Sequence, residues 1–159
     1  MATHNEAEAQ IASALPKAPD RKLVMARLIR SIDIANTIAP NAWACTLLPF
    51  GFRLNVGQVE VMWLLEDGYL RVNLASTPKF PSFEGNRFSS ANYASQPSPQ
   101  FRFGGTVREY AKNQEAIDAG QDAFVRNASR SPSGNPVKGT RFSKSHCEPL
   151  VTYARQVTG

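Results

Sequence analysis

Alternation of apolar and polar residues between Ala42 and Ala75 constrains the fold of this chain more than any other feature. From Trp43 the stretch reads WACTLLPFGFRLNVGQVEVMWLLEDGYLRVNLA. Residues 52–56 (FRLNV) show the two-residue period of a half-buried strand, and Asp67-Gly68 is typical of a β-hairpin turn. The stretch therefore predicts an antiparallel β-meander of three or four short strands at the centre of the fold.

The same alternation predicts which side chains share a face of the sheet. On the strand after Gly57, Val59, Val61, Trp63 and Leu65 are expected on one face, and Glu60, Met62 and Leu64 on the other. This interpretation assigns Trp63 to the core with the valines. Two polar pairs, Arg53 with Asn55 and Arg71 with Asn73, are each expected on one face. Together they form a predicted sheet-face polar patch, suited to a base edge or a carboxylate if it is not simply solvated.

Helical patterns flank the meander. Residues 5–15 and 21–39 carry helix formers or apolar residues at helical spacing, with Asp20 as the expected N-cap of the second segment. A third helix is predicted over 107–128, because Thr106 and Glu109 have the spacing of a capping box. Within this helix Gly120 is a weak point, since glycine disfavours a helix interior. A short helix from about residue 148 to 157 completes the set.

The remaining segments are rich in turn residues. Residues 76–100 carry four prolines and many serines and asparagines, so we expect a long loop over most of them. Residues 101–103 follow as a short edge strand. The chain is thus predicted to be one α+β domain, in which a small antiparallel β-meander (three to five strands) packs against two to four helices. Its predicted parts are a helical N-terminal segment (1–40), the meander (42–75), the long Pro/Ser-rich loop (76–100), and a short strand with C-terminal helices (101–159).

Basic residues concentrate in the second half of the chain. The net charge is +5 and the pI about 9.5. Residues 1–68 contain six basic and seven acidic side chains, whereas residues 69–159 contain twelve and six. No acidic residue lies between Asp122 and Glu148, and the loop expected over 129–145 is rich in glycine and serine. This composition is suited to contact with phosphate oxygens. The same composition is also typical of a solvated basic loop that only maintains solubility.

These charges give the candidate binding site. The nine residues assigned to nucleic-acid or anion binding are Arg126, Arg130, Lys138, Arg141, Lys144, His146, Arg87, Arg102 and Arg108. The leading hypothesis is a non-enzymatic module that contacts nucleic acid or another polyanion through the basic loop. The alternatives are a protein-interaction module that uses aromatic residues of 76–100, and a small enzyme with a site near His146, Glu60 and Arg53.

Catalytic and cofactor motifs do not support the enzymatic alternative. His146 and Cys147 are adjacent, so their side chains point apart and are poorly placed to act on each other. Cysteine and histidine do not cluster at metal-binding spacing, and phosphate-binding glycine motifs are absent. We therefore expect no catalytic residues, no metal and no cofactor.

Compartment is inferred from what the sequence lacks. The N-terminus has no apolar signal segment, no apolar run is long enough to span a membrane, and a disulfide framework is not indicated by two distant cysteines. These observations predict a cytoplasmic protein without a membrane partner.

Overall fold

The computed structural model of the chain describes residues 4–40, 43–49, 51–57, 59–75, 88–91, 100–130 and 148–159. Over these residues it confirms the predicted α+β class. The helices are α1 (His4–Ala14), α2 (Ala18–Ile38), α3 (Val107–Lys112), α4 (Gln114–Arg130) and α5 (Glu148–Thr158). The strands are β1 (Trp43–Leu48), β2 (Gly51–Val56), β3 (Val59–Leu64), β4 (Leu70–Ala75), β5 (Phe88–Ala91) and β6 (Gln100–Gly105).

The six strands form one antiparallel sheet in the order β1-β2-β3-β4-β6-β5. The first four are the meander that the alternating pattern predicts. Strand β6 pairs with both β4 and β5, so the prediction of an edge strand over 101–103 is wrong. Its second neighbour, β5, comes from the stretch assigned to a long loop, because four residues between Pro-rich flanks are enough to add a short strand to the sheet.

The turn between β3 and β4 confirms the predicted hairpin and fixes its register. Gly68 has φ +79°, its N–H donates to the Leu65 carbonyl, and the Asp67 carboxylate accepts from the Tyr69 N–H at 3.0 Å. Three residues, 66–68, thus separate the Leu65–Tyr69 pair. A three-residue loop with glycine in the left-handed region is a frequent hairpin connection. The register that results places Trp63 opposite Arg71.

A β-bulge in β3 overturns the predicted faces of that strand. Leu54 pairs with Met62, but the next residue of β2, Asn55, pairs with Glu60, so Val61 is an extra residue. An extra residue shifts all side chains beyond it to the opposite face. Trp63 therefore lies on the same face as Glu60 and not among the core valines.

Helix boundaries also differ in detail from the sequence patterns. Asp20 is not the N-cap of α2: Lys17 takes that position, and Pro19 lies in the first turn, where its missing N–H costs nothing. The capping box of Thr106 and Glu109 is confirmed. The helix predicted over 107–128 is interrupted at Asn113, which divides it into α3 and α4.

Helices cover one face of the sheet. Helix α4 packs across β4 and β3, α2 packs on α4 and α5, and α1 contacts β2 and α5. At Gly120 an added Cβ would lie 3.3 Å from the Leu74 side chain, so glycine allows α4 to approach the sheet closely. The residue that weakened the helical pattern is therefore explained by packing.

The core lies between this helical layer and the sheet. Side chains from the two layers meet there, with almost no exposed surface. The largest of the fully buried ones are Tyr110, Phe52, Phe103, Phe124, Ile11, Met25, Leu28, Ile32, Leu54, Met62, Leu64 and Leu70. Burying a side chain of this size stabilises the fold by about 1.5–3 kcal/mol.

A buried polar network connects the helices to the sheet. The Arg27 side chain is only 2% exposed and forms ion pairs with Asp118, at 3.2 Å, and with Asp122. It also donates to Ser31 Oγ at 3.2 Å, and Ser31 donates to Gln121 Oε1 at 3.2 Å. These contacts join α2 to α4 across the core.

The network continues to the bulge of β3. Gln121 Nε2 donates to the Val61 carbonyl at 3.1 Å. Because Val61 is the extra residue of the bulge, the side chain of Gln121 supplies a partner for a backbone group at an irregular point of the ladder. The position of α4 is thereby fixed to the position of the bulge.

Tyr110 joins α3 to the same network. Its hydroxyl donates to Asp118 Oδ1 at 2.5 Å, and its ring contacts Phe103, with ring centroids 6.4 Å apart. Burial is the largest cause that raises the pKa of Tyr110 well above its ordinary value, and the negative charge of the nearby Asp118 carboxylate raises this pKa further. The hydroxyl therefore remains a hydrogen-bond donor far into the alkaline range.

Replacing Arg27 with Met should destabilise the protein by about 3 kcal/mol, because Asp118 and Asp122, both partly buried, lose the buried cation that they share. Urea unfolding followed by circular dichroism would measure the change. The matched control is Arg30→Met: Arg30 pairs with Asp122 at 3.5 Å but is 55% exposed, so its loss should cost less than about 1 kcal/mol. Equal effects of the two substitutions would contradict the role assigned to Arg27.

Alkaline unfolding should depend on Tyr110. Its folded-state pKa exceeds the unfolded value of about 10, so its contribution is complete below pH 10 and is lost as the pH rises above it. Between pH 10 and 11.5, Tyr110→Phe should make the loss of unfolding free energy shallower by up to about 1.4 kcal/mol per pH unit. At pH 8 the variant should be about 1 kcal/mol less stable, since it lacks the hydrogen bond. An unchanged slope would show that Tyr110 ionises freely in the folded protein.

Candidate functional site

The face of the sheet turned away from the helices carries a cluster of basic, amide and aromatic side chains. We call this cluster the outer sheet face. Its members are Arg53, Asn55, Glu60, Trp63, Arg71, Asn73 and Arg102. Strand pairing places them side by side, since directly opposite residues of paired strands lie on the same face.

Trp63 lies between two guanidinium groups. Arg53 on β2 and Arg71 on β4 are its direct cross-strand neighbours. The Cζ atom of Arg53 is 4.4 Å from the centre of an indole ring, and that of Arg71 is 4.7 Å away. Each cation–π contact contributes about 0.5–1 kcal/mol or more. The two contacts hold both side chains in place.

Arg102 joins this cluster through an asparagine. Arg102 Nε donates to Asn73 Oδ1 at 2.9 Å, and Asn73 Nδ2 donates to the Glu60 carbonyl at 2.5 Å. The Glu60 carboxylate lies 3.8 Å from Arg71 Nη1. Among the described residues, the outer sheet face thus combines three guanidinium groups with one carboxylate, that of Glu60.

Burial on this face is partial and uneven. The Arg71 side chain keeps 27% of its surface exposed and that of Glu60 keeps 17%, whereas Asn73 is 1% exposed. Within the described part of the chain, Asn55 Oδ1 and Trp63 Nε1 are buried and have no hydrogen-bond partner. A buried acceptor or donor of this kind costs about 1–3 kcal/mol.

The sequence-predicted site residues are thus distributed over two surfaces. Arg53, Asn55, Arg71 and Asn73, predicted as a polar patch, lie together on the outer sheet face. Arg102, predicted as an extension of the basic loop, lies there too, because β6 pairs with β4.

The other predicted cations lie elsewhere. Arg126 and Arg130 belong to α4, which packs on the opposite face of the sheet; Arg130 is in the last helical turn and not in a loop. Arg108 is exposed on α3. Arg87, Lys138, Arg141, Lys144 and His146 are outside the described residues, as is most of the basic loop.

Sequence reasoning missed Trp63 as a member of this cluster, whereas Glu60 was expected on the polar side of the meander with the two polar pairs. The available signal was the length of the hairpin loop. If residues 66–68 form a three-residue loop, Trp63 pairs with Arg71; a two-residue Asp-Gly loop would pair Trp63 with Val72. No comparable sequence signal predicts the bulge at Val61, because the residues that follow Glu60 form an ordinary apolar run.

The described residues offer few other sites for chemistry. They contain no group of three or more His, Cys, Asp or Glu side chains that is able to hold a metal ion. Glu60 and Arg53, named in the enzymatic alternative, both lie on the outer sheet face, whereas His146 is outside the described residues. Each helix in the part of the chain that the structure describes is too short or too polar to traverse a bilayer.

Comparison with protein-family models, curated proteins and solved structures finds no significant match to this chain. The functional interpretation therefore depends on the geometry and charge of the outer sheet face.

The contact between Arg53 and Trp63 can be measured directly. A double-mutant cycle of Arg53→Gln and Trp63→Leu should give a coupling energy of about 0.5–1 kcal/mol in urea unfolding. The control cycle pairs Trp63→Leu with Arg108→Gln, whose side chain is on α3, and should give no coupling. A coupling energy near zero in the first cycle would contradict the assignment of Arg53 and Trp63 to one cluster.

Proposed function

We propose that this chain is a non-enzymatic binding module that contacts the phosphates of a nucleic acid with its outer sheet face. One observation carries the proposal: Arg53 and Arg71 are held against Trp63 on one face of the sheet, Arg102 is held by Asn73 on the same face, and Glu60 is the one carboxylate beside them among the described residues. A guanidinium group presents several N–H donors in one plane and matches the oxygen atoms of a phosphate.

The fixed position of the arginines supports this function. A free arginine side chain loses rotamer entropy when it binds a ligand. Here Trp63 already orders Arg53 and Arg71, and Asn73 already orders Arg102. The entropy is therefore lost during folding, and the binding step retains more of its electrostatic free energy.

Spacing across the sheet suits an extended ligand. Arg53 and Arg71 are on strands separated by β3, so their backbones are about 10 Å apart. Arg102 lies one strand further, on β6, where it is opposite Asn73 of β4. The three side chains together thus span more than one anionic group, as contact with a nucleic-acid backbone requires.

Binding to labelled single-stranded and duplex DNA or RNA oligonucleotides, measured by fluorescence anisotropy, tests the proposal. Affinity should fall steeply between 50 and 200 mM salt, because phosphate contacts release counterions. Arg71→Gln and Arg102→Gln should each weaken binding and reduce the salt slope by roughly 1. Lys22→Gln is the matched control: Lys22 is exposed on α2, so its loss should leave the affinity almost unchanged.

Three results would count against the proposal. Undetectable binding at low salt would remove the function. Binding that does not respond to salt would exclude phosphate contacts as its source. Weaker binding by Arg126→Gln with Arg130→Gln, but not by the sheet variants, would place the nucleic acid on the helical side. Thermal melts of each variant separate lost binding from lost folding.

A further inference from the structure

The helical side of the molecule contains a cavity that is separate from the outer sheet face. It lies between α2, the first residue of β1 and α5, and its volume is about 290 Å³. This volume is at the lower end of the range for ligand pockets. A cavity of this size suits a molecule of metabolite size.

The floor of the cavity is apolar. It is formed by Ile32 on α2, Trp43 on β1 and Val151 on α5. Ile32 is 1% exposed and Trp43 is 4% exposed, and both belong to the hydrophobic core. Only small parts of these two side chains are therefore open to a ligand, and the core holds both rigidly.

The wall of the cavity that α5 forms carries side chains of opposite charge at its two ends. Glu148 and Arg155 both line the cavity and are seven residues apart, which in an α-helix means two turns on one face and about 10 Å along the axis. Thr152 lies between them on the same face. The wall thus presents a carboxylate, a hydroxyl and a guanidinium in a row.

Two polar side chains that line the cavity, Asn36 on α2 and Arg155 on α5, have defined partners. Asn36 Oδ1 accepts from Trp43 Nε1 at 2.6 Å, which orients the amide and directs its Nδ2 donors away from the indole. Arg155 Nη2 pairs with Asp33 at 3.0 Å, but both side chains are about half exposed. Such an exposed pair is weak, and the guanidinium retains N–H donors on its other nitrogens.

We propose that this cavity binds a short peptide-like zwitterion of dipeptide size. Its ammonium group contacts Glu148, its carboxylate contacts Arg155, its amide lies beside Thr152 and Asn36, and its side chains rest on the apolar floor. Two charges of opposite sign at the ends of a small cavity select a ligand with complementary charges at its two ends. This site is independent of the proposed nucleic-acid contact.

The test compares the dipeptide Ala-Phe with its N-acetylated form and its C-terminal amide, by titration calorimetry. Emission of Trp43 in a Trp63→Phe background supplies a second signal from the cavity itself. The free dipeptide should bind with saturation, and each capped form should bind about two- to fivefold more weakly, because one exposed ion pair is lost.

Variants assign each end of the ligand. Arg155→Gln should abolish the difference between the acid and the amide, and Glu148→Gln should abolish the difference between the free and the acetylated amine. Both residues are exposed, so folding should not change. Arg108→Gln and Glu66→Gln are matched exposed controls that should preserve both differences. Absence of saturable binding, or equal binding of capped and free forms, would overturn the proposal.

Discussion

The buried ion pairs of Arg27 constrain the arrangement of every layer in this structure. A guanidinium that is almost completely removed from water needs its carboxylate partners in place, because a buried unpaired charge costs several kcal/mol. Both partners, Asp118 and Asp122, are on α4, so α2 and α4 cannot slide past each other. Through Gln121, the same helix is bonded to the Val61 carbonyl in β3. One cation thus fixes the helical layer relative to the sheet.

The bulge at Val61 in β3 also determines which side chains lie on the outer sheet face. Without the extra residue at Val61, the pairing of β2 with β3 would be displaced by one residue, and Trp63 would turn toward the helices. With it, Trp63 meets Arg53 and Arg71. The contact of Gln121 with the bulge therefore links the helical side, where the network is buried, to the outer sheet face, where the arginines collect.

Local patterns in the sequence were sufficient for much of the fold but for only part of the site. The alternation over 52–56, the Asp67-Gly68 turn and the Thr106–Glu109 capping box depend on residues close in sequence, and each is observed. The bulge at Val61 accepts a hydrogen bond from Gln121 on α4, sixty residues away, and β6 pairs with β4 across a long connection. Because Trp63 and Arg102 owe their places to these distant contacts, local periodicity could not assign them to the cluster.

Stability alone does not account for the outer sheet face. The two guanidinium groups that contact one indole carry like charges and repel each other. That repulsion offsets part of what the two cation–π contacts contribute. Asn55 Oδ1 and Trp63 Nε1 add the cost of buried groups without a partner among the described residues. The observed set concentrates ordered positive charge on one face of the sheet, where an anion is able to neutralise it. This arrangement is what supports the proposed contact with phosphates.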